Sequence, residues 1–187
     1  DRVLDAYWAP MNPKADFRPI MLMNDIRRWW GVLCLNFERY FPQTPVDDYR
    51  AAAGAERRVA NLKLRFARSM ACYSTVLRLI HLSDPTGIVR RVDAERALKE
   101  NPIDRVQAVE GDNALPRGAQ QLATTVLHSY DTYLGVVAKP KEDLARFVSV
   151  DVNWRPVKQS AYEFHKSFSD LLRTVGAGKP LLDYALI

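Results

Sequence analysis

Two cysteines in 187 residues, Cys34 and Cys72, leave no material for a disulfide framework. Both fall in apolar helical surroundings, which suits two reduced core thiols and, by default, a reducing cytoplasm. No apolar run approaches the roughly 18 residues that a membrane helix requires. The longest candidate, Trp29 to Leu35, is short and bounded by Arg28 and Asn36. No basic-then-apolar leader opens the chain. No stretch alternates apolar and polar residues, which argues against strands with one wet face. The eight glycines build no phosphate loop, and neither a G-x-S-x-G elbow nor a C-x-x-C pair occurs. His128 and Asp131 stand three apart on one helix face, as metal ligands can, but no His-x-x-x-His or Glu-x-x-His repeat supports them, so no metal is expected.

What is present is material for helices. Apolar residues make up 48% and charged residues 26%, with a net charge of +5 that favours anionic partners. Residues 1–9 read as a short helix ended by Pro10 and Pro13. Pro19 opens a long helix to about Phe41, with an apolar stripe of Ile26, Trp30, Leu33, Phe37 and Tyr40. Residues 42–55 read as a loop with a helical turn near 48–53. A helix from about Glu56 to Leu82 follows, its stripe made by Leu62, Phe66, Met70, Tyr73, Leu77 and Ile80. A turn at 83–87 leads to two short helices split at Asn101-Pro102, and Pro116 opens a helix to about Ala138. Residues 141–150 are expected to be helical, with 147–150 able to extend. Pro156 opens the last long helix, which Gly176 and Gly178 end, and a short turn closes the chain. The expectation is an all-α bundle of four to five long helices with shorter connecting helices, one domain over 1–187. The chain opens at Asp1 without a methionine, so a proteolytic fragment or the ordered part of a longer protein is expected.

One polar pattern stands out. Arg58, Asn61, Arg65 and Arg68 recur at i, i+3, i+7 and i+10, which puts them on one face of an α-helix, with Lys63 on the neighbouring face. Arginines without an interleaved acid suit an anion, because the guanidinium fork matches phosphate oxygens. Asn24, Asp25, Arg27 and Arg28 crowd the start of the helix from Pro19. Asp25 suits the helix dipole there, whereas Arg27 and Arg28 do not, so a carboxylate or a phosphate is expected to hold them. Glu38, Asp47 and Asp48 are the candidate internal partners. Trp29 and Trp30 point about 100° apart; core packing is the ordinary use for them, and base stacking the sharper one. Arg78 and His81 are too close together for the arginine-then-histidine spacing of a helical ribonuclease of the HEPN type.

The segments Pro19–Glu38 (PIMLMNDIRRWWGVLCLNFE) and Asn61–Arg68 (NLKLRFAR) together resemble the helical region that follows the catalytic domain in predicted bacterial nucleotidyltransferases of the DNA polymerase β superfamily. The resemblance covers about residues 1–80. It implies an all-α region beside a core whose Gly-Ser turn and Asp-x-Asp pair bind two divalent metals and a nucleotide. Neither motif occurs in this chain: Asp151-Val-Asn153 lacks the second acid, and Asp47-Asp48 is adjacent.

The chain alone is therefore not expected to be catalytic. The expected role is an accessory, substrate-binding domain of a nucleotidyltransferase whose core lies in cis or in trans. Mg2+ and a nucleoside triphosphate would bind the intact protein. Arg27, Arg28, Arg65 and Arg68, with Lys63 nearby, would meet phosphates or an anionic substrate, and Asn24 and Asn61 would orient them. The alternatives are a helical protein-interaction module of toxin–antitoxin or regulatory type, docking an acidic partner, and an RNA-binding bundle, whose affinity would fall steeply with salt.

Overall fold

The computed structural model describes Tyr7, residues 18–41 and residues 51–185, with side chains of the last stretch described from Gly54 to Tyr184. The expected helix over 1–9 and the acids Asp47 and Asp48 lie outside these residues, Tyr7 apart. The described residues are all-α. In order they form α1 (Ile20–Tyr40), α2 (Ala51–Lys63), a π-helical segment (Leu64–Arg68), α3 (Ser69–Leu82), α4 (Arg91–Lys99), α5 (Pro102–Glu110), α6 (Arg117–Val137), α7 (Lys141–Ser149), α8 (Asp151–Val175) and α9 (Leu181–Ala185). No helix among them is long and apolar enough to cross a membrane.

Long rods carry the bundle: α1, the continuous α2–π–α3 unit, α6 and α8. Helix α6 lies along α8, α5 bridges α3 and α6, α7 lies across α2, and α9 packs on α1. Helix α3 is central, with Leu77, Leu79 and Ile80 fully buried. Each such side chain contributes about 1.5–3 kcal/mol through removal of apolar surface from water. An aromatic chain threads the core. Phe66 stacks on Tyr133 at 4.7 Å and meets Phe164 at 5.0 Å. Phe164 then meets Phe168, which meets Tyr73, which meets Trp30 at 5.7 Å. Ring by ring, this chain joins the middle of the bundle to α1.

Local chemistry explains the boundaries. Asn101 caps α5, its side-chain oxygen accepting from the N–H groups of Ile103 and Asp104, and Pro102 sits where a missing N–H is harmless. After α3, Asp84 accepts from the N–H groups of Thr86 and Ile88, and Gly87 supplies the positive φ (85°) that closes the turn. The Lys179 ammonium donates to the carbonyls of Ile80, His81 and Ser83, satisfying the end of α3 from the far end of the chain.

Three expectations need correction. Tyr40, expected on the buried stripe of α1, is 78% exposed. Helix α2 already runs from Ala51, inside the stretch read as a loop. Residues 141–149 are helical as expected, with no extension at 147–149. Helix α8 begins at Asp151 and carries Pro156 in its interior. Its first turn is anchored before the proline, where the N–H groups of Asn153 and Trp154 donate to the Val150 carbonyl.

The helix read as 56–82 is also not uniformly α. In the π segment the Ser69 N–H reaches back to the Leu64 carbonyl, which takes in about one extra residue and swings everything beyond it by about 100°. The Ser69 hydroxyl also donates to that carbonyl, at 3.3 Å.

Candidate functional site

The extra residue in the π segment separates the cations that an unbroken α-helix would align. Arg58 faces the joint between α7 and α8. It donates to the carbonyls of Val148 (2.8 Å) and Ser149 (3.2 Å), pairs with Asp151 at 2.6 Å, and lies over the Trp154 ring. It caps α7 and is already neutralised. Arg65 is half-buried on the side of α1 and α8: its charge opposes the rise of the Cys34 thiol on α1 and, after burial, helps to depress the His165 imidazole on α8. Asn61 is half-buried. Lys63 and Arg68 are exposed and line a groove of about 860 Å³ on another side.

Asn24, Arg27 and Arg28 do come together. They line a concavity of about 440 Å³ whose remaining wall includes Trp30 and Gly31 of α1, Tyr73 of α3, and His165 and Phe168 of α8. Arg65, Arg68, Asn61 and Lys63 do not line it. The single concavity shared by all seven residues is thus not formed, and the reason is the helical phase shift at 64–68.

Within the concavity, Arg27 donates from Nη1 to the Tyr184 carbonyl of α9 at 3.3 Å, which holds its guanidinium between α1 and α9. Arg28 is 74% exposed in its side chain and sits 3.6 Å from Asp25, a loose pair contributing well under about 1 kcal/mol. Asp25 in turn accepts from the Tyr7 hydroxyl at 2.8 Å. Glu38, expected as an internal partner for these arginines, is exposed and acts instead on the Cys34 thiol, helping to raise it after burial has done most. Among the described residues no carboxylate lines the concavity, and two guanidinium groups set its sign.

The other wall is aromatic and polar. Trp30 lies 6.4 Å from the His165 ring. Burial raises the Tyr73 phenol, which therefore remains a hydroxyl donor. Burial first, and then the Arg65 charge, hold the His165 imidazole below its ordinary value, while a hydrogen bond to the Arg65 backbone opposes them. Its Nε2 lies 3.4 Å from the Ser69 hydroxyl. His165 thus braces the π segment from across the bundle while one side of it reaches the concavity. Trp30, rather than Trp29, meets the core; Trp29 is 51% exposed.

Among the described residues no His, Cys, Asp and Glu cluster could hold a metal ion. Cys34 and Cys72 are free, and burial pushes the Cys72 thiol up to about 12, which makes it inert. No family model, no curated protein and no solved structure matches the chain.

Proposed function

We propose that this helical domain takes a phosphate-bearing small ligand, a nucleotide above all, into the concavity between α1, α3 and α8. One observation carries the reading: Asn24, Arg27 and Arg28 converge with Trp30 on a single hollow that no carboxylate lines among the described residues. The hollow is within the usual size of small-ligand sites, roughly 300–1,000 Å³. Guanidinium groups supply paired donors for phosphate oxygens, and the indole offers a flat face for a base. Tyr73 adds a hydroxyl, and a neutral His165 adds a ring nitrogen without adding charge.

The resemblance of Pro19–Glu38 to the helical region of predicted nucleotidyltransferases supports placing this hollow beside a nucleotidyltransferase-type core. On that reading the core, in cis or in trans, holds the metals and performs the transfer, and this domain grips the nucleotide or the acceptor substrate.

Titration of the purified chain with ATP by calorimetry tests the proposal. Arg28→Glu should weaken binding by at least roughly tenfold, the loss of an attraction and the gain of a repulsion. Arg68→Glu, in the other groove, should leave it unchanged. Equal affinity for wild type and Arg28→Glu would reject the site.

A further inference from the structure

We propose that the second groove docks an acidic amphipathic helix of a partner protein. It lies between α2, the π segment and the corner where α6 turns into α7, and it stands apart from the nucleotide hollow. Lys63 and Arg68 rise on one side, and Lys139, Lys141 and Arg146 on the other. All five are exposed. Among the described residues Glu56 is the one carboxylate that lines the groove. Asp143 satisfies Arg146 only at 3.7 Å across an exposed pair, and Lys139 rests over the Phe147 ring, so most of this charge faces outward.

The floor decides which anion fits. It is made of aliphatic side chains, Val59, Ala60, Val137, Leu144 and Ala145. A nucleic-acid strand would want flat rings on which to stack its bases. Among the described residues the only ring lining the groove, Phe41, is already paired with Phe37 at 5.4 Å. An aliphatic floor between two cationic rims instead complements a helix with an apolar stripe flanked by Asp and Glu on both sides. The stripe would enter at i, i+3, i+4 and i+7 spacing, and the acids would reach the two rims. Rim charges of this kind set partner choice and encounter rate more than raw affinity.

The π segment is what builds the first rim. Glu56, Ala60 and Lys63 follow α-helical spacing along the groove, and the next lining residue of this helix is Arg68, five positions on. An α-helical continuation would have offered Ala67.

The test uses the full chain and a fluorescent peptide of about fifteen residues, long enough for marginal helicity, with a leucine stripe flanked by glutamates. Anisotropy is read against the same residues shuffled to destroy the stripe, and against single-stranded RNA. The striped peptide should bind, and the shuffled peptide should bind at least roughly tenfold more weakly. Arg68→Glu/Lys141→Glu should weaken the striped peptide by roughly tenfold or more. Lys139→Glu/Arg146→Glu, on the far rim alone, should do the same, and Arg28→Glu should leave it unchanged. Absence of binding by the striped peptide overturns the proposal. So does shuffled peptide or RNA binding as tightly as the striped peptide, or indifference to both rim reversals in variants whose circular dichroism is native.

Discussion

The Ser69 hydroxyl lies 3.4 Å from Nε2 of His165 while also reaching the carbonyl of Leu64. Ser69 is fully buried, so water does not substitute for these contacts. The two residues come from helices far apart in sequence, and their meeting is where the wide turn of the π segment is satisfied. Ser69→Ala should therefore cost about 1–2 kcal/mol, the usual effect of stripping one partner from a buried polar pair. Urea unfolding measures it; an unchanged midpoint would mean that the π segment needs no such brace.

Burial holds both His81 and His165 below their ordinary value of 6.5, with Asp112 partly opposing this at His81. The unfolded chain then binds protons that the folded chain refuses. Stability is accordingly full above about pH 7 and falls as the pH drops through about 6.5, since unfolding takes up protons there. Thermal melts across this range should show the decline, and His165→Gln should flatten part of it. Melting temperatures that rise toward acid would contradict the assignment.

Arg105 is 7% exposed, and it leaves the nearby Glu100 carboxylate to Arg78. It donates instead to the carbonyls of Ala97 and Leu98 and to the hydroxyls of Thr75 and Ser74. These bonds tie α4 and α5 to α3. Arg105→Met leaves two carbonyls at the end of α4 without their donor, at an expected cost of about 2–4 kcal/mol. Arg105→Lys should recover little, because one ammonium cannot reproduce the planar fork. Full rescue by lysine in chemical denaturation would show that charge, not geometry, is what matters there.

A methyl group at Gly176 would lie 2.9 Å from the Leu172 carbonyl and 2.9 Å from Leu182 Cδ1. The Leu172 carbonyl is backbone and cannot move aside cheaply. Gly176→Ala should destabilise by about 1–3 kcal/mol and loosen α9 from the end of α8. Protection of the α9 amides from hydrogen exchange is the sensitive readout; retained protection would show that α9 simply shifts.

The bundle was legible because its apolar positions follow a helical period over long stretches. The places of Trp30 and Tyr73 on the apolar stripes, and the burial of Phe66, Met70, Leu77 and Ile80, follow from that period alone; that the two rings meet does not. The split at Asn101-Pro102 was legible from capping chemistry. The start of α8 was not, since Pro156 imitates a first-turn proline while Asp151 and Asn153, which begin the helix, form partners only in three dimensions. Asn24, Arg27 and Arg28 could be picked out as cations and an amide that the local helix does not explain. His165 could not, because a single histidine in an amphipathic helix carries no signal until Ser69 and Arg65 are brought to it. Lys139, Lys141 and Arg146 were hidden for a similar reason: they follow a proline break in an ordinary polar corner, and only the packing of α7 across α2 sets them opposite Lys63 and Arg68. The π segment left its neighbours' periodicity intact on each side, so pattern reading joined the two halves as one helix.

That segment makes the α2–α3 rod behave like two keys cut on one shaft with an angular offset between them. Removing any one residue from 64–68 should erase the offset and wind the rod into plain α-helix. The upstream half would then turn by about 100° against the downstream half. Arg58 would leave its seat at the α7–α8 joint, or Tyr73 and Phe168 would part, because both cannot keep their places on a uniform screw. A single codon thus separates this architecture from one in which the two halves of the rod serve the same side of the molecule.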